Sequence, residues 1–205
     1  MVVLTGGPGA GKTAVLEVVR RNFCEHVLVL PEAASILFSG GFPRGTSSHA
    51  RGATQRAIFH VQRELERLVC DEGRAAVVLC DRGTVDGLAY SDDGDALLAQ
   101  LGSSRAAELA RYHAVVHLRT PPANSGYDHS NRVRTETPEQ ALKLDAAIAA
   151  AWQGHPRRCF VDSTSDFMAK LAGAIEAIRR EVPPCCRSHA VPEAGLAGEP
   201  GAPSC

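Results

Sequence analysis

This chain of 205 residues lacks a strong net charge, paired cysteine motifs and long apolar runs. The formal net charge is -1, so there is no basic footprint and no nucleic acid partner is expected. No apolar run is long enough to span a bilayer, which predicts that the chain has no transmembrane segment. The seven cysteines are an odd number without paired C-x-x-C spacing. This favours reduced thiols in a cytoplasmic protein over disulfides or zinc ligands.

Two further absences narrow the class of protein. The sequence has no [NT]-K-x-D segment, which switch GTPases use to bind guanine; the nearest segment, residues 142–145, lacks the leading polar residue. A Ras-like GTPase is therefore disfavoured. The length predicts one α/β domain over residues 1–181, without the second helical domain that a ring-forming ATPase needs. Residues 182–205 are rich in Pro, Ala, Gly and Ser without periodicity, which predicts a disordered tail.

A glycine-rich loop between a predicted strand and a predicted helix organises the chain. It matches G-x-x-x-x-G-K-[ST] and consists of Gly6, Gly7, Pro8, Gly9, Ala10, Gly11, Lys12 and Thr13, with Ala14 next in the helix. Its backbone amides and the helix N-terminus are predicted to bind the phosphates of ATP or GTP. Lys12 is predicted to bridge the β- and γ-phosphates, and the Thr13 hydroxyl to hold Mg²⁺. Because the loop begins at residue 6, no signal peptide is expected before it.

Two acidic residues follow predicted buried strands. Glu32 comes after the apolar run 27–30, and Asp81 and Arg82 come after the apolar run 75–80. In a parallel sheet the carboxyl ends of the strands meet at one edge, so these side chains are expected beside the phosphate loop. Asp81 is predicted to bind Mg²⁺ directly or through water. The alternatives are a favourable helix-end charge for Glu32 and a simple strand-end turn at Asp81.

Five short apolar strands alternate with helical segments along the chain. The predicted strands are residues 2–5, 27–30, 75–80, 114–118 and 158–162. This alternation predicts a five-stranded parallel sheet with helices on both faces. Residues 51–71 are predicted to form a long helix whose apolar face carries Ile58, Val61, Leu65, Leu68 and Val69. A second stripe on that helix, formed by Gln55, Phe59, Gln62 and Glu66, is either a substrate contact or a solvated polar face.

A polar segment without regular periodicity follows the fourth predicted strand and ends at residue 136. Arg119 and Arg134 flank it, which indicates a lid that closes over the triphosphate and places guanidinium groups on phosphate oxygens. The alternative is a mobile surface loop whose arginines only maintain solubility. After this segment, Thr137, Pro138 and Gln140 have the pattern of a capped helix start.

Five segments together resemble the AAA_28-type family of P-loop ATP-binding proteins. They are residues 6–13, 31–34, 81–83, 134–136 and 155–158. That family includes proteins similar to the TRPL translocation defect protein, which look like GTP binders, and the chain also resembles the ribosylnicotinamide kinase domain. More broadly, it is similar to the thymidylate and deoxynucleoside kinases of the P-loop class.

The resemblance implies roles for three residues. In nucleoside kinases an acid after the second strand acts as a base toward the accepting hydroxyl, a position that Glu32 matches. An acid and an arginine after the third strand assist metal and phosphate binding, as Asp81 and Arg82 would do here. The sequence thus predicts a Mg²⁺-dependent kinase of a small-molecule acceptor. The alternative is a nucleotide-regulated module that binds a phosphoinositide headgroup or a protein with little turnover.

Overall fold

The computed structural model describes residues 1–122, 137–164 and 166–184. These residues form one sheet of five parallel strands in the order β2-β3-β1-β4-β5. The strands are β1 (Val2–Thr5), β2 (Val27–Leu30), β3 (Val77–Asp81), β4 (Ala114–Leu118) and β5 (Arg158–Val161). The predicted α/β fold with a five-stranded parallel sheet is confirmed.

The helices of the described residues surround this sheet. They are α1 (Lys12–Asn22), α2 (Ala33–Ser39), α3 (Ser48–Glu72), a 3₁₀ helix (Thr84–Tyr90), α4 (Gly94–Gln100), α5 (Arg105–Leu109), α6 (Pro138–Ala151) and α7 (Phe167–Arg179). Helix α6 begins as its sequence predicts, because Thr137 and Gln140 cap each other's backbone. The three short helices between β3 and β4 were not predicted. Within the described ranges, no helix is both long and apolar enough to cross a membrane.

The core lies on both faces of the sheet because the strands are apolar at consecutive positions. Val2 and Leu4 of β1 belong to the cluster that includes residues of α1 and α7. Val3, between them, belongs to the opposite cluster, which includes residues of α3, α6 and the 3₁₀ helix. This two-sided burial fixes the central strand β1, and therefore the loop that follows it, between two layers of helices.

The buried face of α3 differs from the prediction. Phe59, Gln62 and Glu66 are buried, whereas Leu68, predicted to face the core, is 56% exposed. Glu66 is tolerated in the interior because the Tyr112 hydroxyl donates a hydrogen bond to it at 2.7 Å and Arg111 forms an ion pair with it. Gln62 and Glu66 of this stripe are therefore part of a hydrogen-bonded interior rather than a solvated face.

The folded domain extends past the predicted boundary at residue 181. Val182 is only 2% exposed and belongs to the core cluster that contains α1 and α7. Placing Val182 in the tail was therefore wrong, because its side chain completes the apolar layer beneath α7. Residues 185–205 of the predicted tail lie outside the described residues.

We expect a chain that ends at Glu181 to melt at a lower temperature than one that ends at Pro184. The shorter chain lacks the buried Val182 side chain, whose burial contributes about 1–3 kcal/mol, and this corresponds to a difference of several degrees in a domain of this size. Thermal unfolding followed by circular dichroism measures the difference, with the full chain as reference. Equal melting temperatures for the two truncated chains would show that Val182 adds no stability.

Candidate functional site

The loop between β1 and α1 is a tight turn that only glycine permits at its critical positions. Gly6 has a φ of 133°, and a Cβ atom on it would lie 2.1 Å from the Leu118 carbonyl oxygen. Gly11, at the N-cap of α1, has a left-handed φ of 96°. Beyond it, the first N–H groups of α1 have no partner within the helix. The loop therefore directs amide donors and the positive end of a helix dipole at one place, which suits a phosphate group.

Asp145 of α6 holds this loop in position, a role that the sequence did not reveal. Its Oδ1 atom accepts a hydrogen bond from the Gly7 amide at 2.8 Å and lies 2.9 Å from His117 Nε2. The carboxylate is buried, which by itself raises its pKa, but the His117 and Gly7 hydrogen bonds outweigh burial and lower the pKa of Asp145. The only sequence signal was the incomplete guanine motif at residues 142–145. In the structure the aspartate of that segment, Asp145, instead holds the phosphate loop through the Gly7 amide.

Lys12 folds over the loop from the first turn of α1. Its Nζ atom donates hydrogen bonds to the carbonyl oxygens of Gly6 at 2.8 Å and Gly7 at 3.0 Å. Burial, together with repulsion from Arg82, lowers the pKa of the Lys12 ammonium to about 7. A negatively charged ligand at the loop would favour the protonated, charged form of this side chain.

Asp81 is the last residue of β3, the strand that pairs with β1, and Asp81 itself is in register with Leu4. Burial and the nearby Glu32 carboxylate raise the pKa of Asp81 to about 6. The carboxylate of Asp81 forms no hydrogen bond or ion pair with another residue of the described part of the chain. An acceptor-only group that is left unpaired in this way suits a hard cation such as Mg²⁺.

The residues around Asp81 fit the Mg²⁺ that a phosphate loop implies. Thr13 and Asp81 line the same cavity and offer one hydroxyl and one carboxylate. No cluster of three or more His, Cys, Asp or Glu able to hold a metal occurs among the described residues. This sparse donor set fits Mg²⁺ in nucleotide sites, because that ion takes one or two protein oxygens and completes its shell with waters and phosphate oxygens.

Glu32 and Arg82 form an ion pair beside Asp81. Arg82 Nε donates to Glu32 Oε1 at 2.7 Å, and the Ser35 hydroxyl donates to Glu32 Oε2 at 2.5 Å. Although burial raises the pKa of Glu32, the Arg82 charge and these hydrogen bonds produce a net lowering. Glu32 occupies the N-cap position of α2, but its side chain makes no capping hydrogen bond. The carboxylate is turned toward Arg82 instead, which argues against a role as a helix-end charge alone.

Asp86 supports Arg82 and was not predicted, because no motif marks it in the sequence. It is 2% exposed on the 3₁₀ helix and accepts hydrogen bonds from the Thr5 hydroxyl and, at 2.7 Å, from the Gly83 amide. Its Oδ1 atom lies 3.9 Å from Arg82 Nη1. Arg82 has a left-handed φ of 71°, and its Nη1 atom is buried without a hydrogen-bond acceptor among the described residues. Asp86 therefore balances the charge of the buried Arg82 side chain beside Glu32.

One cavity of about 1080 Å³ connects these groups. Its lining includes loop residues 8–14 together with Glu32, Asp81, Arg82 and Asp86. From there the cavity continues between α2, α3 and the 3₁₀ helix, where Phe38, Gln55 and Tyr90 line it. The volume is in the range of a site for small ligands.

The structure describes only one of the two predicted lid arginines, Arg119, and does not bring it to this cavity. Arg119 lies with Nη1 3.6 Å from Asp145 Oδ2 and with its guanidinium carbon 4.4 Å from the centre of the Phe160 ring. It is absent from the cavity lining, so the structure gives its predicted contact with nucleotide no support. Arg134 and most of the predicted lid lie outside the described residues.

The strand, the glycine-rich loop, the helix and the acidic end of the neighbouring strand define a P-loop nucleotide-binding domain. The AAA_28 family model, described as an AAA domain, matches residues 1–170. The chain belongs to this family, as its motifs predicted. None of the curated proteins matches the chain at a significant level.

We expect Asp81→Asn to stabilise the protein in nucleotide-free buffer without Mg²⁺. The folded-state pKa of about 6 lies above the value of 3.8 for an unperturbed aspartate. Ionisation of Asp81 therefore lowers the free energy of unfolding. This loss of stability is fully present above pH 6 and disappears as the pH falls to 4. Removing it is expected to raise the melting temperature at pH 8 by about 2–8 °C, with a smaller gain at pH 4.

Melting curves at the two pH values, with the exposed Asp71→Asn as the matched control, check this prediction. An Asp81→Asn variant that is no more stable than the control at pH 8 would contradict the assignment of Asp81 as a buried carboxylate whose charge destabilises the ligand-free protein.

Proposed function

We propose that this protein is a Mg²⁺-dependent kinase that transfers the γ-phosphoryl group of ATP or GTP to a hydroxyl group of a small metabolite. One observation carries the proposal: the cavity continues beyond the phosphate loop, with the Glu32 carboxylate lining it. A protein that only binds nucleotide needs the loop but needs neither a second chamber nor a base. A kinase needs both, because its acceptor must reach the γ-phosphate beside a group that takes a proton.

The donor nucleotide is assigned to the loop side of the cavity. The unpaired amides of the loop and of the first turn of α1 would bind its phosphates, and Lys12 would turn from the Gly6 and Gly7 carbonyls to the β- and γ-phosphates. Thr13 and Asp81 would hold Mg²⁺, which neutralises charge on the same phosphates when it is bound. The Asp145 hydrogen bond to the Gly7 amide supports this assignment, because it fixes the loop before any ligand binds.

Glu32 is assigned as the general base. Its lowered pKa keeps the carboxylate ionised at neutral pH, so it can take the proton of the acceptor hydroxyl. The acceptor oxygen then bonds to the γ-phosphorus, while the bond from that phosphorus to the β-γ bridging oxygen breaks and the nucleoside diphosphate leaves. Arg82 orients Glu32 through Nε, and its guanidinium group is assigned to phosphate binding, as in the nucleoside kinases that the chain resembles.

The proposal also assigns phosphate contacts to Arg134, which remains a prediction from the sequence. Its guanidinium would stabilise negative charge that develops during transfer. This part of the proposal draws on the similarity of residues 134–136 to the AAA_28 family and on the polar segment that precedes them.

We expect Glu32→Gln to slow phosphoryl transfer by roughly two to four orders of magnitude while affinity for the Mg²⁺-nucleotide stays within a few-fold. Glutamine keeps the size and one acceptor for Arg82 but cannot accept the proton. The measurement is release of ADP or GDP in the presence of a panel of nucleosides, nucleotides and vitamin precursors. The exposed Glu25→Gln is the matched control.

Two results would contradict the proposal. If Glu32→Gln transfers phosphate to the accepted metabolite as fast as the control does, another group is the base. If no panel member stimulates diphosphate release from the wild-type protein, but phosphoinositide vesicles bind it in a nucleotide-dependent manner, the chain is the binding module instead.

A further inference from the structure

The turn between β3 and the 3₁₀ helix is held through three consecutive backbone amides. The amide of Arg82 donates to the Leu4 carbonyl oxygen at 3.1 Å, and the amide of Gly83 donates to a carboxylate of the 3₁₀ helix at 2.7 Å. The amide of Thr84 donates to the hydroxyl oxygen of Tyr112 at 2.8 Å. The backbone on both sides of Arg82 is therefore fixed by hydrogen bonds.

Arg82 needs this restraint because its own backbone conformation is unfavourable. Its φ of 71° is left-handed, a region that is disfavoured for L-residues other than glycine. Such a conformation persists only where the surrounding contacts impose it. In this conformation Arg82 Nε donates to Glu32 Oε1 at 2.7 Å. The pairing of the two side chains therefore depends on the backbone of the turn.

The hydroxyl group of Tyr112 is oriented to accept the Thr84 amide. It donates its one proton to Glu66 Oε1 at 2.7 Å, and because a carboxylate only accepts, the lone pairs of the hydroxyl oxygen are left for the amide. Burial and the Glu66 charge raise the pKa of Tyr112 well above its usual value, so the proton stays in place at neutral pH. An ion pair with Arg111 balances the charge of Glu66.

Aromatic packing supports the turn from the interior. A Cβ atom on Gly83 would lie 2.9 Å from the Trp152 ring and 3.1 Å from the Tyr112 ring. The two rings pack edge to face with their centroids 5.3 Å apart. Tyr112 is only 4% exposed, and it is not among the described residues that line the cavity. Tyr112 can therefore affect a ligand in the cavity only through the turn.

We propose that Tyr112 is a positioning residue whose hydroxyl group, by holding the Thr84 amide, keeps Arg82 in the backbone conformation that pairs it with Glu32. The inference rests on the proposed function in one respect, which is that Glu32 is the base. No motif marks Tyr112 in the sequence, because it lies 28 residues after Thr84.

Exchange of the Arg82 Nε–H proton with water, followed by ¹H–¹⁵N NMR of the full chain, tests this without any turnover. A buried N–H group bonded to a carboxylate exchanges slowly, because the bond must first open. The variant Arg82→Lys assigns the signal by removing it. Tyr112→Phe keeps the ring but removes the acceptor of the Thr84 amide, and we expect exchange at Arg82 to become about tenfold faster or more.

Two further variants separate positioning from a general loss of stability. Ile178→Val removes a buried methylene group from the core cluster on the other face of the sheet, and we expect it to leave the Arg82 exchange rate unchanged. Gly83→Ala keeps the Tyr112 hydroxyl but forces the turn away from the Trp152 ring. We expect it to accelerate exchange at Arg82 as Tyr112→Phe does.

The kinetics of transfer give a second measurement once an accepted metabolite is known. We expect Tyr112→Phe to slow phosphoryl transfer about tenfold while affinity for the Mg²⁺-nucleotide stays within a few-fold. When Glu32 is already replaced by Gln, the same change is expected to have no further effect, because both substitutions act through one group.

An unchanged Arg82 exchange rate in folded Tyr112→Phe would overturn the inference, and so would an unchanged rate in Gly83→Ala if Tyr112→Phe does not fold. Equal acceleration in Ile178→Val would overturn it as well. Failure of the kinase proposal is a separate outcome. Exchange at Arg82 that depends on Tyr112, without phosphoryl transfer to any metabolite, rejects the kinase and leaves the positioning role standing. Transfer that is as fast in Tyr112→Phe as in the wild-type protein does the reverse.

Discussion

The hydrogen bond from the Gly7 amide to the buried Asp145 carboxylate is the contact on which the rest of the site depends. It joins the loop after β1 to α6, and through His117 the same carboxylate is joined to β4. Because Asp145 has a lowered pKa, it stays charged at neutral pH and the restraint persists. The loop is thus shaped before a ligand arrives, so little reorganisation remains for the moment of binding or reaction.

Two ionisable side chains at this loop, Lys12 and Asp81, favour the binding of a charged ligand but lower the stability of the folded protein. Lys12 has its pKa lowered to about 7 and Asp81 has its pKa raised to about 6, in both cases mainly by burial. Each shift means that the charged form is disfavoured in the folded protein. A nucleotide phosphate and a divalent cation are the partners that would restore both charged forms. Perturbed groups that face one cavity are typical of functional sites, where stability and function are in conflict.

The features predicted from the sequence depended on residues that are close together in the chain. The loop motif, the strands and the cap of α6 are of this kind, and a strand end was enough to place Asp81 beside the loop. The features that were missed depend on distant partners. Glu66 of α3 is buried because it accepts a hydrogen bond from Tyr112, 46 residues later. Asp145 accepts one from Gly7, which lies 138 residues earlier in the chain. The neighbours of Arg119, Asp145 and Phe160, are likewise distant in the chain, and no local pattern marks such pairs.

The most direct test of the account is a crystal structure of the protein with Mg²⁺ and a non-hydrolysable analogue of ATP or GTP. The account predicts that the β-phosphate lies against the backbone amides of the loop and the first turn of α1. It also predicts that Lys12 Nζ has left the Gly6 and Gly7 carbonyl oxygens for the phosphates, while the bond from Gly7 to Asp145 is unchanged. A triphosphate bound elsewhere, with Lys12 still on those carbonyls, would contradict it.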